Sequence, residues 1–336
     1  MANSYPRPIK LRGMMAKVET GGYGVDAAPV IATDAVRVRG PLRLRVVPAF
    51  PNFREDVALA TIIGEAPPGD PAGFMVEFDV DLELTGAGAA YAVAVLPQVH
   101  PFLVGSGMAP VVDVTVPGSE TVTYTMADVG HGSFTVWAYT ESGKLIKING
   151  CRCTWSIPIT AGNLAVLRCT VSGMVNAPAT GLTEADLAAL TYDGVKPPPF
   201  KGLALAIVNA TDTWDPPRFQ SATINAGVSI QRLDDASDAT DAIEQFAISE
   251  IKPTFEINAR SVALADYDYV VARGYSAAVP PLPHTIDLTI GSVKYNKCNL
   301  DVNVAYLENY PDPQEDNGFA SGTYLYKCND LALLFD

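Results

Sequence analysis

Along most of this chain, apolar and polar residues alternate with a period of two. That spacing sends successive side chains to opposite faces of a β-strand. The clearest run is residues 74–84. Phe74, Val76, Phe78, Val80, Leu82 and Leu84 fall on one face, and Glu77, Asp79, Asp81 and Glu83 on the other. The run reads as a long half-buried strand with an acidic outer face. Residues 133–139 and 144–157 read as a hairpin turning at Glu141-Ser142-Gly143, and residues 163–174 as the next strand, after Thr160-Ala161-Gly162. The alternation returns at 222–233, 254–259, 285–290, 293–306 and 323–328. Pro253 stands just before the second of these, a place where a strand tolerates proline.

Two stretches read as short helices. Residues 91–104 are interrupted by Pro97 and Pro101. Residues 261–273 carry Asp266 and Asp268 in the middle, and Gly274 follows as a stop. Strand, helix, hairpin, strand therefore occurs twice in the same order. Short likenesses point the same way. Lys147-Ile148-Asn149-Gly150-Cys151 resembles Lys294-Tyr295-Asn296-Lys297-Cys298, and Arg168-Cys169 resembles Lys327-Cys328. Internal repetition fixes the fold class before other readings. The expectation is a mainly β protein of two tandem β-sandwich or barrel domains, each with one flanking α-helix. The divisions are an N-terminal arm at 1–33, a first β domain at 34–176, a linker at 177–200 and a second β domain at 201–336. Within the linker, residues 182–190 suit a short helix capped by Thr183, and Lys196-Pro197-Pro198-Pro199-Phe200 stiffens the crossing.

Each unit also has a long segment between strands, at 48–72 and 234–252. Loops of such length in compact domains are commonly functional. Both contain apolar residues, so they are expected to order against a partner. Phe50, Phe53, Leu59, Ile62, Ile243 and Phe246 are the candidate contacts.

Composition narrows the chemistry. The 336 residues are 48% hydrophobic and 18% charged, which is a globular balance. The formal net charge is −14, so a broad phosphate-binding surface is excluded over most of the protein. The excess lies mainly in the second half: from Asp212 onward there are 19 acidic and 8 basic residues. No apolar run is long enough to span a bilayer, and the basic residues near the N-terminus are not followed by the apolar stretch of a secretory signal. Five cysteines make a closed disulfide framework unexpected and suit a reducing cytoplasm.

Sites with chemistry are few. Cys151, Cys153 and Cys169 sit on neighbouring predicted strands, but no CxxC pair occurs and no histidine is near in sequence, so they read as core residues rather than zinc ligands. His100, His131 and His284 are isolated, and no Gly-x-Ser-x-Gly elbow is present. Gly21-Gly22-Tyr23-Gly24 and Gly86-Ala87-Gly88 lack the phosphate-loop spacing and read as turns. The run from Asp234 to Asp241 lacks the glycine of an EF-hand and reads as a solvated loop. The expectation is a protein without catalysis, metal or cofactor.

The opening Ala16-Lys17-Val18-Glu19-Thr20-Gly21-Gly22-Tyr23-Gly24-Val25-Asp26-Ala27-Ala28-Pro29, followed by Asp34-Ala35-Val36-Arg37-Val38, resembles the start of the larger tail tube (major tail) proteins of long-tailed, non-contractile bacteriophages. The segment Gly143-Lys144-Leu145-Ile146-Lys147-Ile148-Asn149-Gly150-Cys151-Arg152-Cys153-Thr154 is similar to their central G-x-L-x-K-x-x-G-x-x-x-T hairpin, with Cys153 where glycine is usual. The similarity spans most of the chain and rests on the order of the pieces. It implies a structural virion protein, assembled in the host cytoplasm into stacked rings around a channel for phage DNA. It also implies tape-measure, terminator and distal tail proteins as partners, DNA in transit rather than tightly bound, and no membrane. Two fused units suggest a homotrimeric ring with pseudo-six-fold symmetry in preference to a homohexamer. Glu77, Asp79, Asp81 and Glu83 are then the candidate channel-facing carboxylates. The competing readings are a two-module surface adhesin or pilus-like protein, which an absent signal sequence disfavours, and a carbohydrate-active β-sandwich enzyme. The enzyme would need an aromatic cleft that three scattered tryptophans (Trp137, Trp155, Trp214) do not suggest.

Overall fold

The computed structural model describes residues 13–40, 44–50, 72–139, 145–175, 189–192, 194–210, 212–214, 218–235, 243–260, 267–276, 279–309, 311, 314–316 and 319–336. Among them the protein is mainly β, with a large antiparallel sheet. The first half supplies β1 (Met14–Val18), β2 (Ala35–Val36), β3 (Val38–Arg39), β4 (Arg45–Phe50), β5 (Ala72–Glu83), α1 (His100–Gly105), β6 (Met108–Asp113), β7 (Thr121–Met126), β8 (Phe134–Tyr139), β9 (Leu145–Thr160) and β10 (Val166–Val175). The second supplies β11 (Ala204–Val208), β12 (Thr213–Trp214), β13 (Phe219–Asn225), β14 (Val228–Asp234), β15 (Ile243–Ile251), β16 (Thr254–Arg260), α2 (Tyr269–Arg273), β17 (His284–Ile290), β18 (Cys298–Leu307), β19 (Gln314–Asp316), β20 (Phe319–Cys328) and β21 (Ala332–Phe335).

The pairing order of the first half is β4–β5–β10–β9–β8–β1. That of the second is β13–β16–β20–β18–β17–β11. The helix falls between the second and fifth strands of each list in chain order: α1 follows β5, and α2 follows β16. A β-bulge anchors the comparison to single residues. The β8–β9 register shifts between Phe134 and Val136, and the β17–β18 register shifts between His284 and Ile286. Bulges add one residue to one strand, so a shared one fixes which positions correspond. Counting outward along the ladders, Ile148 matches Val302, Cys151 matches Ala305 and Phe78 matches Phe255.

This register corrects the likenesses seen in the sequence. The counterpart of residues 147–151 is 301–305, seven positions beyond the Lys294–Cys298 segment, most of which is a turn. The counterpart of Arg168-Cys169 is Thr323-Tyr324, not Lys327-Cys328. What recurs is the alternation of buried positions, because only burial constrains a residue's type at a ladder position.

The two halves share sheet. β9 is sixteen residues long. Its first part pairs with β8, and on the same edge its last part (Ser156 to Thr160) pairs with β13 (Asn225 to Ser221). A second joint is made by β21, which lies between β18 and β7 with Leu333 opposite both Leu300 and Tyr124. One buried cluster accordingly runs from Met14 and Val36 through Phe78, Trp155 and Ile224 to Leu300 and Phe335. Within β5 the predicted alternation holds, since Val76, Phe78, Val80 and Leu82 are all buried. Each such side chain contributes about 1.5–3 kcal/mol by leaving water. Phe74 shares their parity but is 42% exposed, one position beyond the last β5–β10 pair at Met75.

Other boundaries shift for identifiable reasons. Met14–Val18 belongs to the sheet rather than to an arm, and Met14 and Met15 are fully buried. Helix α1 covers only the last turn and a half of the predicted 91–104, with Pro101 in its first turn where a missing N–H costs nothing. In α2, Asp268 is the N-cap rather than a mid-helix residue, accepting hydrogen bonds from the amides of Val270 and Val271 at 3.0 and 3.1 Å. Gly274 ends it, at φ 73°. The predicted single strand 222–233 is two strands. The chain breaks at Gly227, whose φ is 62° and where a Cβ would stand 1.9 Å from the Lys252 carbonyl oxygen. From there β14 and β15 leave the main sheet as a separate hairpin, so most of the expected 234–252 loop is strand. The proline stretch docks rather than spans. Pro199 bridges to Leu164, and the Ala165 amide donates to the Pro198 carbonyl at 2.9 Å. The expected helix at 182–190 and the tail before residue 13 lie outside the described residues, apart from the non-helical Ala189 and Leu190.

Candidate assembly surfaces

The four carboxylates of β5 lie on its outer face as the alternation requires, yet they are interleaved with arginines. Ladder partners share a face. Glu77 is opposite Arg45 on β4, and Asp81 is opposite Arg39 on β3 and Arg168 on β10. The Arg168–Asp81 pair measures 3.4 Å and the Arg37–Glu83 pair 3.5 Å. Thr170 donates its hydroxyl to Asp79 at 2.6 Å. A stripe that reads as purely acidic along one strand is thus close to neutral once β3, β4 and β10 are counted with β5.

That face continues through the joint between the halves. Arg39, Asp81, Arg168, Ser156, Asn225, Thr254 and Lys327 stand opposite one another in an unbroken row over seven strands. The row is made of short hydroxyl and amide side chains flanked by charges of both signs. The acidic run itself is not repeated. Thr254, Glu256, Asn258 and Arg260 of β16 occupy the register positions of Glu77, Asp79, Asp81 and Glu83.

The two sequence segments that carry the phage resemblance meet in space. Glu19, 9% exposed, accepts four hydrogen bonds. They come from the Gly24 amide (2.8 Å), the Gly150 amide (2.8 Å), Ser133 Oγ (2.5 Å) and Thr135 Oγ1 (2.9 Å). Asp26 receives Lys147 Nζ at 3.0 Å and Trp137 Nε1 at 3.0 Å, and Asn149 Nδ2 donates to the Gly24 carbonyl at 3.2 Å. The Gly21–Gly24 turn therefore folds onto the middle of β9. Gly150 is required there: its φ is 60°, and a Cβ would lie 2.6 Å from the Tyr23 ring. Tyr23 then reaches across to the second half. Its hydroxyl donates to the Gly150 carbonyl at 2.8 Å and accepts from the Phe246 amide of β15 at 2.7 Å. Arg152 secures the same strand, with Nε donating to the Phe246 carbonyl at 3.3 Å and Nη1 to the Gly132 carbonyl. Burial raises the Tyr23 pKa above its ordinary value, so the hydroxyl keeps its proton.

This clasp corrects part of the stacking-loop expectation. Ile243 and Phe246 are 2% and 5% exposed, held within the chain rather than free for a partner. Phe50 ends β4, opposite Ala72. Phe53, Leu59 and Ile62 lie outside the described residues, as does most of the Asp234–Asp241 run, within which Asp234 pairs with Arg232 at 2.7 Å. A second interlock joins the halves. Within Lys294–Cys298, the segment whose sequence suggests a repeat, residues 294–296 are a turn docked on the first half. The Gly88 amide donates to the Tyr295 carbonyl at 3.0 Å, the Gly86 amide to Asn296 Oδ1 at 3.0 Å, and Tyr295 hydroxyl to Glu120 at 2.7 Å. A Cβ on Gly86 would sit 2.0 Å from that carbonyl oxygen. Glycines in a row of small residues are the sequence trace of such a close approach.

The remaining titratable groups are structural in setting. All five cysteines are buried thiols, and burial pushes those of Cys298 and Cys328 up to about 12. Cys153 Sγ donates to the Phe102 carbonyl at 2.9 Å. Among the described residues, no three His, Cys, Asp or Glu side chains converge as a metal site would require. His284, fully buried, meets the Tyr267 hydroxyl at 3.0 Å, which meets that of Tyr326 at 2.7 Å, and Trp214 stacks on Tyr267. His100 Nδ1 lies 2.9 Å from the Tyr124 hydroxyl. His131 Nε2 lies 2.9 Å from the Ala127 carbonyl oxygen.

No known family model matches this chain, and no curated protein matches it.

Proposed function

We propose that this protein is the building block of a bacteriophage tail tube: a non-catalytic virion subunit that polymerises into stacked rings and leaves a channel through which DNA passes to the host. In this reading the two halves are two tail-tube-type β domains, and three chains fill six quasi-equivalent positions in each ring. The tube assembles in the host cytoplasm, meets tape-measure, terminator and distal tail proteins, and carries DNA in transit without binding it tightly.

The observation that carries the reading is the β9–β13 joint. Two six-strand units of one pairing order are connected edge to edge, so that the sheet of one runs into the sheet of the other. A heterologous contact of this kind closes into a ring when repeated at a suitable rotation. It also satisfies strand edges that would otherwise invite uncontrolled aggregation. The polar, charge-balanced outer face suits a wall along which a polyanion slides, because it lacks the clustered cations that phosphate binding requires.

Negative-stain microscopy and mass measurement of the concentrated protein test this. The expected result is hollow rings or tubes with three chains per ring. A stable monomer at high concentration would refute the tube, and six chains per ring would refute the pseudosymmetric arrangement.

A further inference from the structure

The shared bulge that aligns the halves also shows which edges are left over. In the first half, β9 pairs with β10 as far as Ser156, and its end from Ser156 to Thr160 pairs with β13 on the other edge. Its counterpart in the second half is β19. Ser321 on β20 stands opposite Arg260 just as Val166 on β10 stands opposite Glu83, and Gln314 stands opposite Ser321. Extending the β9–β10 register by two pairs past Arg168–Ser156 places Pro158 opposite Val166, so Gln314 matches Pro158 and Asp316 matches Thr160. Among the described residues, β19 pairs only with β20, and none of them pairs with it on the side that β13 occupies on β9.

The complementary edge is equally plain. Ser221 of β13 stands opposite Asn258 of β16, and Arg39 of β3 stands opposite Asp81 of β5, which is the counterpart of Asn258. Arg39 therefore occupies the place of Ser221. Among the described residues, β3 pairs only with β5, and Arg39 is exposed.

We infer that β3 of one copy pairs antiparallel with β19 of a second copy, repeating between chains the joint that β13 makes with β9 inside one chain. The Ser221–Thr160 register then sets Arg39 of one copy opposite Asp316 of the other. A basic and an acidic residue directly across an antiparallel pair is a favourable combination, and two like charges there would oppose pairing. This rests on the ring-forming reading and names the edges through which it acts.

Disulfide trapping tests it, since the natural cysteines are all buried and opposed residues in an antiparallel ladder come within disulfide range. The double variant Arg39→Cys/Asp316→Cys, mildly oxidised at assembling concentration, is expected to give covalent species ending at a closed trimer on non-reducing gels. Each single variant is expected to stay uncrosslinked. Charge reversal gives an independent readout. Arg39→Asp is expected to reduce ring assembly at least tenfold, and Arg39→Asp/Asp316→Arg to restore it. Rings seen by microscopy with no crosslink and no rescue would overturn this edge assignment while leaving the ring itself standing. Absence of rings from the unaltered protein would overturn both.

Discussion

Single residues in this protein act mainly by keeping polar groups satisfied where the chain is dense. Glu19 offers two carboxylate oxygens to four donors, and every one of those donors would be orphaned by an apolar replacement. The histidines behave differently, because burial disfavours their charged form. Burial lowers the His100 pKa to about 4 and also lowers that of His284. In the unfolded chain each would titrate near about 6.5. As pH falls, the unfolded state therefore takes up the proton first. Stability is full above about pH 6.5 and declines below it, by up to about 1.4 kcal/mol per pH unit for each histidine. Paired carboxylates add their own loss only lower, near about pH 4. Urea unfolding is expected to show a midpoint that drops between pH 7 and pH 5, with a smaller drop in His100→Gln. A flat profile over that window would mean that the two rings are hydrated or protonated in the fold.

Among the elements, β21 has the largest effect for its size. Four residues at the C-terminus fill the gap between β18 and β7, with Leu333 and Phe335 buried and the Phe335 ring edge-on to Tyr124 at 5.8 Å. Phe335→Ala is expected to cost about 3–5 kcal/mol in chemical denaturation, as for other large aromatic truncations in a core. A cost below about 1 kcal/mol would mean that the strand is not inserted. The sequence displays this element poorly. Leu331-Ala332-Leu333-Leu334-Phe335 is apolar throughout, so a period-two search passes over it, although in the fold Leu333 and Phe335 are buried while Ala332 and Leu334 are only half-buried. The same search finds β5, β10, β16 and β17 because buried and more exposed positions alternate along each, whereas β8 and the middle of β9 are buried on both faces and are marked by the turns and glycine around them. It merges β13 with β14, since a kink at Gly227 leaves the alternation intact. Helix lengths are overstated for a related reason: residues 91–99 are apolar enough for a helix, yet Ala92 and Val95 form a β-bridge there. The clasp was half legible. Its two segments stand out as motifs, but the contacts that join them (the Glu19 carboxylate on the Gly150 amide, Lys147 on Asp26, Asn149 on the Gly24 carbonyl and Tyr23 on the Gly150 carbonyl) leave no periodic trace. The register of the internal repeat was not legible, because matched positions such as Phe134 and His284 share burial and little else.

At the scale of the whole molecule, the decisive quantity for the proposed tube is the charge of its long outer face. The net charge of −14 suggests a repulsive wall, but the ladder shows Glu77, Asp79 and Asp81 set among Arg39, Arg45 and Arg168. In a ring of alternating halves, this mixed strip would alternate with the less charged strip of β16. Such a wall neither holds nor expels DNA strongly, and its hydroxyls and amides offer weak contacts that exchange readily with water. Balance of this kind is easily upset. Converting Glu77, Asp79 and Asp81 to lysine makes the face strongly basic while leaving buried Val76, Phe78, Val80 and Leu82 untouched, so folding and ring formation are expected to persist. Phosphate contacts release counterions, so the new affinity should fall steeply with salt. Particles carrying this tube are expected to eject DNA more slowly than the unaltered phage at about 50 mM salt and to recover by about 300 mM, where such contacts weaken by orders of magnitude. Assembled tubes should gain salt-sensitive DNA binding in parallel. If tubes form but ejection is unchanged at low salt, the β5 face does not line the channel. Binding of DNA to the outside of those tubes, visible by microscopy, would then place the face on the exterior.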